Sequence, residues 1–278
     1  MSGIDYIKDS TLINAKGAFS MTDPVLINLD QGVLTVTFNQ PEKKNPMNNA
    51  IYEQINQAIF RAEQEAQIKV VVLTGAGDFF SAGNDIADFM SQPPEDETSP
   101  VVKLLLRLAN TDIPILAAVN GPAIGIGTTI LLHCDKVYAV DSAFFSTPFV
   151  TLGVVPEAGS SLLMPKYLGY QMAARLLMFA ERITAQEAKD CGLIGHLCAE
   201  DQLKELVAEE ARRIARLPKK TIRQAKRLMR RDEEPLTDRI VYEMEQFGEA
   251  LRSAESKEAM AAFVEKRSPN FTQFDIEA

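Results

Sequence analysis

From Pro24 onward, apolar and polar residues alternate through Val25 to Leu29 and again through Val33 to Phe38, with Asp30-Gln31-Gly32 between the two runs. Alternation rich in β-branched residues puts one face of a strand on a core, and the intervening turn residues predict a hairpin. The period then changes. Ile51, Ile55, Ala58, Ile59 and Ala62 recur at spacings of three and four, predicting a helix that Asn45-Pro46 opens and that runs to about Gln67. Val70-Val71-Val72-Leu73-Thr74 is apolar without alternation and closes on Gly75-Ala76-Gly77, the pattern of a strand covered on both faces. Ile113 to Val119 repeats that pattern after a helix over Val101 to Leu108, and Asn120-Gly121-Pro122 leads into a small-residue helix from about Ala123. Lys136 to Val140 predicts a third buried strand, followed by Ala143 to Ser146.

Strands separated by helical crossovers, continuing to about residue 200, predict an α/β core. Beyond it the chain reads as helical. Leu203 to Leu217, Lys219 to Arg231 and Leu236 to Lys266 are amphipathic, with breaks at Pro218 and Pro235. The expected organisation is an N-terminal tail over 1–20, a core over 21–200 and a C-terminal helical region over 201–278.

Composition narrows the chemistry. A chain of 278 residues can bury a core large enough to fold without disulfides or metals. Its formal charge of -9 disfavours non-specific attraction to nucleic acid or an anionic membrane. Cys134, Cys191 and Cys198 have neither the even count of a disulfide framework nor the paired spacing of a zinc site. His133 and His196 lie in apolar sequence and read as structural, so no metal centre is expected. The longest apolar candidate for a span, Ile113 to Val119, is strand-sized. The N-terminus shows no basic region followed by an apolar block, and Asp275-Ile276-Glu277-Ala278 is not a peroxisomal tripeptide signal. A soluble cytoplasmic protein is expected.

Two glycine-containing loops follow buried strands: Phe79-Phe80-Ser81-Ala82-Gly83-Asn84-Asp85-Ile86 and Asn120-Gly121-Pro122-Ala123-Ile124-Gly125-Ile126-Gly127. Either loop by itself reads as a tight strand-to-helix turn. A helix start also presents unpaired N–H groups with positive dipole character, suited to a developing anion. In this order and with these flanks, the pair resembles the signature of the crotonase superfamily, also called the enoyl-CoA hydratase/isomerase family. The resemblance runs from about Pro24 to Phe271 and includes Asn45-Pro46-Met47-Asn48, Ile183-Thr184-Ala185-Gln186-Glu187-Ala188, Gly192-Leu193-Ile194 and Ala262-Phe263-Val264-Glu265-Lys266-Arg267.

The resemblance implies a spiral of repeated ββα units, with C-terminal helices that form trimers or a dimer of trimers. It implies an acyl-CoA thioester whose carbonyl oxygen takes hydrogen bonds from the backbone N–H groups of Asn84 and Ile126. Ile126 departs from the glycine usual at that place, although a backbone donor survives the change. It further implies contacts from Ala82, Gly83, Asp85, Ile86, Gly125 and Gly127. Lys43, Lys44 and Lys266 become candidates for the coenzyme phosphates by position, and each reads equally well as a solvated charge. No cofactor is implied, since coenzyme A enters as part of the substrate.

Hydratases of the family use two glutamates, and Thr129 and Phe149 occupy the corresponding places here. A different carboxylate follows in Gly153-Val154-Val155-Pro156-Glu157-Ala158-Gly159-Ser160-Ser161. An acidic residue near a helix start is common for electrostatic reasons alone. Its surroundings, however, resemble the peroxisomal-type Δ3,Δ2-enoyl-CoA isomerase branch, in which a single catalytic glutamate holds the place of Glu157. Phe149, Leu152, Ile126 and Leu163 are expected to form an apolar pocket that raises its pKa. Competing readings are a hydratase or thioester hydrolase of the same fold and a noncatalytic acyl-CoA-binding protein. A 4-chlorobenzoyl-CoA dehalogenase matches less well, because Glu157 replaces its aspartate and the chain has no tryptophan. The basic run Lys219, Lys220, Arg223, Lys226, Arg227, Arg230 and Arg231 reads as the solvated face of a helix rather than a nucleic-acid site.

Overall fold

The computed structural model describes residues 23–231 and 234–274, so the tail over 1–20 lies outside them. The predicted hairpin forms, with Val25–Asp30 antiparallel to Val33–Phe38 and Val25 opposite Phe38. Gln31 and Gly32 both take positive φ, 47° and 81°, the twist that a two-residue hairpin turn needs. Val70–Gly75, Ile115–Val119, Lys136–Val140 and His196–Cys198 extend this sheet in parallel, each beside the previous one. Its two central strands are the unbroken apolar runs Val70–Gly75 and Ile115–Val119, which helical crossovers cover. Smaller pairings, Pro46–Met47 with Gly83–Asn84 and Phe144–Ser146 with both Ala123–Ile124 and Ile183–Thr184, bind the loops beyond the sheet.

Four helix boundaries differ from expectation. Asn45-Pro46 does not open the first helix, because Pro46–Met47 is drawn into a strand pairing with Gly83–Asn84. Asn48 caps the helix Asn49–Gln64 instead, its Oδ1 accepting from Ile51 N at 3.0 Å. That helix stops at Gln64 because Glu65 turns to an extended conformation. Ala123–Ile124 likewise forms a strand, so the next helix starts only at Ile126. The third C-terminal helix divides into Leu236–Arg252 and Ala254–Glu265, where the Ser253 hydroxyl accepts from Ser256 N at 3.1 Å. The helix Glu200–Ala215 packs on the sheet and buries Leu203, Val207, Ala211 and Ile214 in the same core, which therefore continues past residue 200.

The basic helix Lys219–Met229 is a solvated face only in part, with Lys220 and Arg227 exposed. Lys226 is buried, with Nζ 2.7 Å from both Ile113 O and an Asp135 carboxylate oxygen. Arg223 and Arg227 pair with Asp112 at 2.6 Å, and Arg230, just past the helix, donates to the carbonyl of His133 at 3.0 Å. These charges clamp the helix to the turns that enter the second and third buried strands. No helix among the described residues is long and apolar enough to cross a membrane.

Candidate active site

Both loops leave the carboxyl ends of adjacent parallel strands, paired with Thr74 opposite Ala118, and so emerge at the same end of the sheet. Open α/β sheets generally bind ligands at that end. Two asparagines fix the entry to the first loop. Asn45 Nδ2 donates to the carbonyls of Ala76 and Phe79 at 2.8 and 2.7 Å, and Asn120 Oδ1 accepts from Gly75 N at 3.0 Å. Ser81 then joins the loops: its carbonyl accepts from Ile124 N at 3.0 Å, while its hydroxyl donates to Asn45 O and accepts from Gly83 N.

The glycines permit this approach. Gly83 has φ +92°, and a Cβ there would stand 2.8 Å from Ile124 O and 3.7 Å from Gly125 Cα. A Cβ on Gly127 would meet Ser81 at 3.0 Å. The backbones on either side of Asn84 and Ile126 are therefore packed directly together. Asp85 N donates to Met47 O at 2.8 Å, and successive N–H groups of a parallel strand point to opposite sides, so the Asn84 N–H faces away from that ladder. Ile126 opens the short helix Ile126–Thr129 after Gly125, and a first-turn N–H has no partner within its helix.

One turn beyond Ile126, the buried Thr129 hydroxyl donates to a Glu157 carboxylate oxygen at 2.5 Å. The carboxylate is thereby tied to the helix that carries one candidate donor. Glu157 lies two residues before Gly159, the N-cap of Ser160–Leu168, and so precedes the helix rather than occupying its first turn. Its carbonyl accepts from the Ser160 N–H and hydroxyl at 2.9 and 2.6 Å. Ala158 takes the left-handed φ of 55°, and its carbonyl accepts from His133 Nε2 at 2.9 Å. Burial holds the His133 pKa below its usual value, which favours the neutral ring as that donor.

Burial raises the Glu157 pKa from 4.5 to about 7 against the opposing hydrogen bond from Thr129. Thr129→Val removes that hydroxyl with little change of shape. The acidic limb of the pH–kcat/KM profile is then expected to move from about pH 7 upward by roughly half to one unit. An unmoved limb would mean that another group sets it.

Not every expected contact lies at the loops. Phe149 and Ile126 are buried, whereas Leu152 is 57% exposed and does not help enclose Glu157 within one chain. Thr129 faces the carboxylate rather than open pocket space. Asp85 caps the helix Ile86–Ser91 through bonds from Ala87 N and Asp88 N, a structural task, and Ile86 is exposed beside it. Lys44 borders the first loop, its carbonyl accepting from Ala82 N at 2.9 Å, with Lys43 next to it in the turn Pro41–Lys43. Lys266 caps the helix Ala254–Glu265, and no described hydrogen bond or ion pair joins it to either loop. Tyr52, Asn45, Asn120 and the role of the Thr129 hydroxyl were not anticipated. The one available hint is Asn120, a polar residue directly after the buried strand Ile115–Val119.

The family model for enoyl-CoA hydratase/isomerase matches residues 28–274. Enoyl-CoA delta isomerase 2 of Rattus norvegicus is 37% identical over 225 residues, covering 79% of this chain and 57% of that protein, so the chain spans little more than half of that relative. The 2,3-dehydroadipyl-CoA hydratase of Escherichia coli K12 is 32% identical over 251 residues, covering 89% of this chain and 98% of that one. The crystal structure of an enoyl-CoA hydratase/isomerase from Pseudoalteromonas atlantica T6c shares 40% identity and a TM-score of 0.73, over 90% of this chain and all of that one. The chain belongs to the enoyl-CoA hydratase/isomerase family.

Proposed function

We propose that the protein shifts the double bond of a 3-enoyl-CoA to give the trans-2-enoyl-CoA, with Glu157 as the only proton carrier. The observation that carries this reading is the Thr129–Glu157 hydrogen bond: a threonine at one hydratase-acid position supports the remaining carboxylate. Glu157 removes a proton from C2, the C2–H electrons conjugate with the C3–C4 double bond and the thioester carbonyl, and a dienolate results. The N–H groups of Asn84 and Ile126 hydrogen-bond to its oxygen. Protonated Glu157 returns the proton at C4, the double bond settles between C2 and C3, and the carboxylate is restored without consumption of water or cofactor.

The raised pKa suits both halves of the cycle. At neutral pH much of Glu157 is ionised and can act as base, yet its conjugate acid is strong enough to protonate a dienolate. Loss of one oxyanion donor typically costs about 3 kcal/mol of transition-state stabilisation, so two donors supply a large share of the rate. Ala82, Gly83, Ile86, Lys43 and Lys44 belong in this reading to the coenzyme side of the site.

A homotrimer, or a dimer of trimers, agrees with the exposed Ile240, Met244, Phe247, Phe263 and Val264 on the C-terminal helices. A soluble cytoplasmic location completes the reading. Hydration is the second reading, supported by the hydratase name of the Escherichia coli relative. It requires a second acid or base, and Thr129 and Phe149 stand at the places of the two hydratase glutamates.

A substrate carrying two deuterons at C2 tests the single carrier. In one turnover, part of the product should hold one deuteron at C2 and the other at C4, as read by mass spectrometry. Product retaining only the C2 deuteron would count against proton return by the same carboxylate.

A further inference from the structure

The segment Met47–Tyr52, which leads into and opens the helix Asn49–Gln64, is bonded to the first loop and to the helix Ile86–Ser91 that follows it. Met47 O accepts from Asp85 N at 2.8 Å, Asn49 N donates to an Asp88 carboxylate oxygen at 3.0 Å, and the Tyr52 hydroxyl donates to Asn84 Oδ1. Only the last of these grips the residue whose N–H is the candidate donor. Tyr52 is 2% exposed, in the first turn after the Asn48 cap, so the surrounding core fixes its ring.

We propose that Tyr52 is a positioning residue for the dienolate site, holding Asn84 and its backbone N–H at the place where the substrate oxygen is stabilised. This rests on the reading of Asn84 as the first donor. The pairing of Met47 with Asn84 sets the strand register but lies on the side of the strand opposite that N–H. A second tether, on the Asn84 side chain, removes the rotation that such a two-residue strand otherwise permits. Burial, together with the nearby Glu157 and Asp88 charges, keeps the phenol well above its usual pKa, so it remains a donor throughout the working pH range.

Tyr52→Phe keeps the ring and deletes the hydroxyl. Its kcat on 3-enoyl-CoA is expected to fall roughly tenfold with KM changed less than about twofold, because small donor misplacement is felt mainly in the transition state. Asn84→Ala, which keeps the backbone N–H, should lose a similar factor, and the double variant should lose no more than the worse single variant. A second readout is independent of isomerisation: acetoacetyl-CoA, which can form a stabilised enolate, is added to each protein and the near-ultraviolet enolate absorbance is titrated with pH. Wild type should bind more enolate at a given pH than Tyr52→Phe. Equal enolate titrations, or independent additive losses in the double variant, would overturn the proposal. If wild type converts no 3-enoyl-CoA, the isomerase reading fails, and the enolate titration still decides the role of Tyr52.

Discussion

Glu157→Gln is expected to lower kcat on 3-enoyl-CoA by about 1,000- to 10,000-fold and to stabilise the folded protein above pH 7. Glutamine keeps the oxygen that accepts the Thr129 hydrogen bond and nearly the same volume, so the pocket should persist while the proton carrier is lost. The stability change has the opposite sign because the folded-state pKa, about 7, exceeds the ordinary 4.5. Between those values the folded protein binds more protons than the unfolded chain, so stability falls as pH rises, and above 7 the full penalty is present. Its upper bound is about 3 kcal/mol, and partial exposure of Glu157 reduces it to roughly 1 to 2 kcal/mol. Thermal unfolding should show the glutamine variant above wild type at pH 8, with the gap closing toward pH 4.5. A variant less stable than wild type at pH 8 would contradict the burial argument, and retained turnover would remove Glu157 from the mechanism.

The second large effect is expected at Gly83→Ala. Its φ of +92° costs a side-chain-bearing residue about 1 kcal/mol, and its Cβ would press on Ile124 O at 2.8 Å. The clashing atom is backbone, so relief requires the two loops to separate. A shift of about 1 Å between the Asn84 and Ile126 donors is expected to lower kcat roughly 100-fold. Gly169→Ala provides the control: φ is +79° but nothing lies within 4 Å, so only the conformational cost applies. Thermal unfolding and turnover of the two variants separate backbone strain from loss of donor geometry. Equal activities would show that the loops are not held in catalytic register by this contact.

The central sheet was legible because strands covered on both faces leave unbroken apolar runs, as at Val70–Gly75 and Ile115–Val119. The loops were legible through their glycines, while the pairing of Asn84 with Ile126 came from family resemblance. Asn45 has the local appearance of a helix opening because its partners, Ala76 and Phe79, lie 31 and 34 residues away. Thr129 marked a missing acid, but its bond to Glu157 spans 28 residues and depends on the fold. The same limit explains the basic helix. A lysine destined for Asp135, 91 residues earlier, has the same local sequence appearance as a solvated one. Leu152 shows the converse, since an apolar residue beside a candidate base need not enclose it.

Wild-type protein offered 3-enoyl-CoA and, separately, trans-2-enoyl-CoA, with products resolved by chromatography, tests the single-carboxylate isomerase most directly. The expected result is rapid formation of trans-2-enoyl-CoA from the first substrate and no comparable formation of 3-hydroxyacyl-CoA from the second. Rapid 3-hydroxyacyl-CoA formation from trans-2-enoyl-CoA, with the 3-enoyl thioester left unchanged, would contradict it.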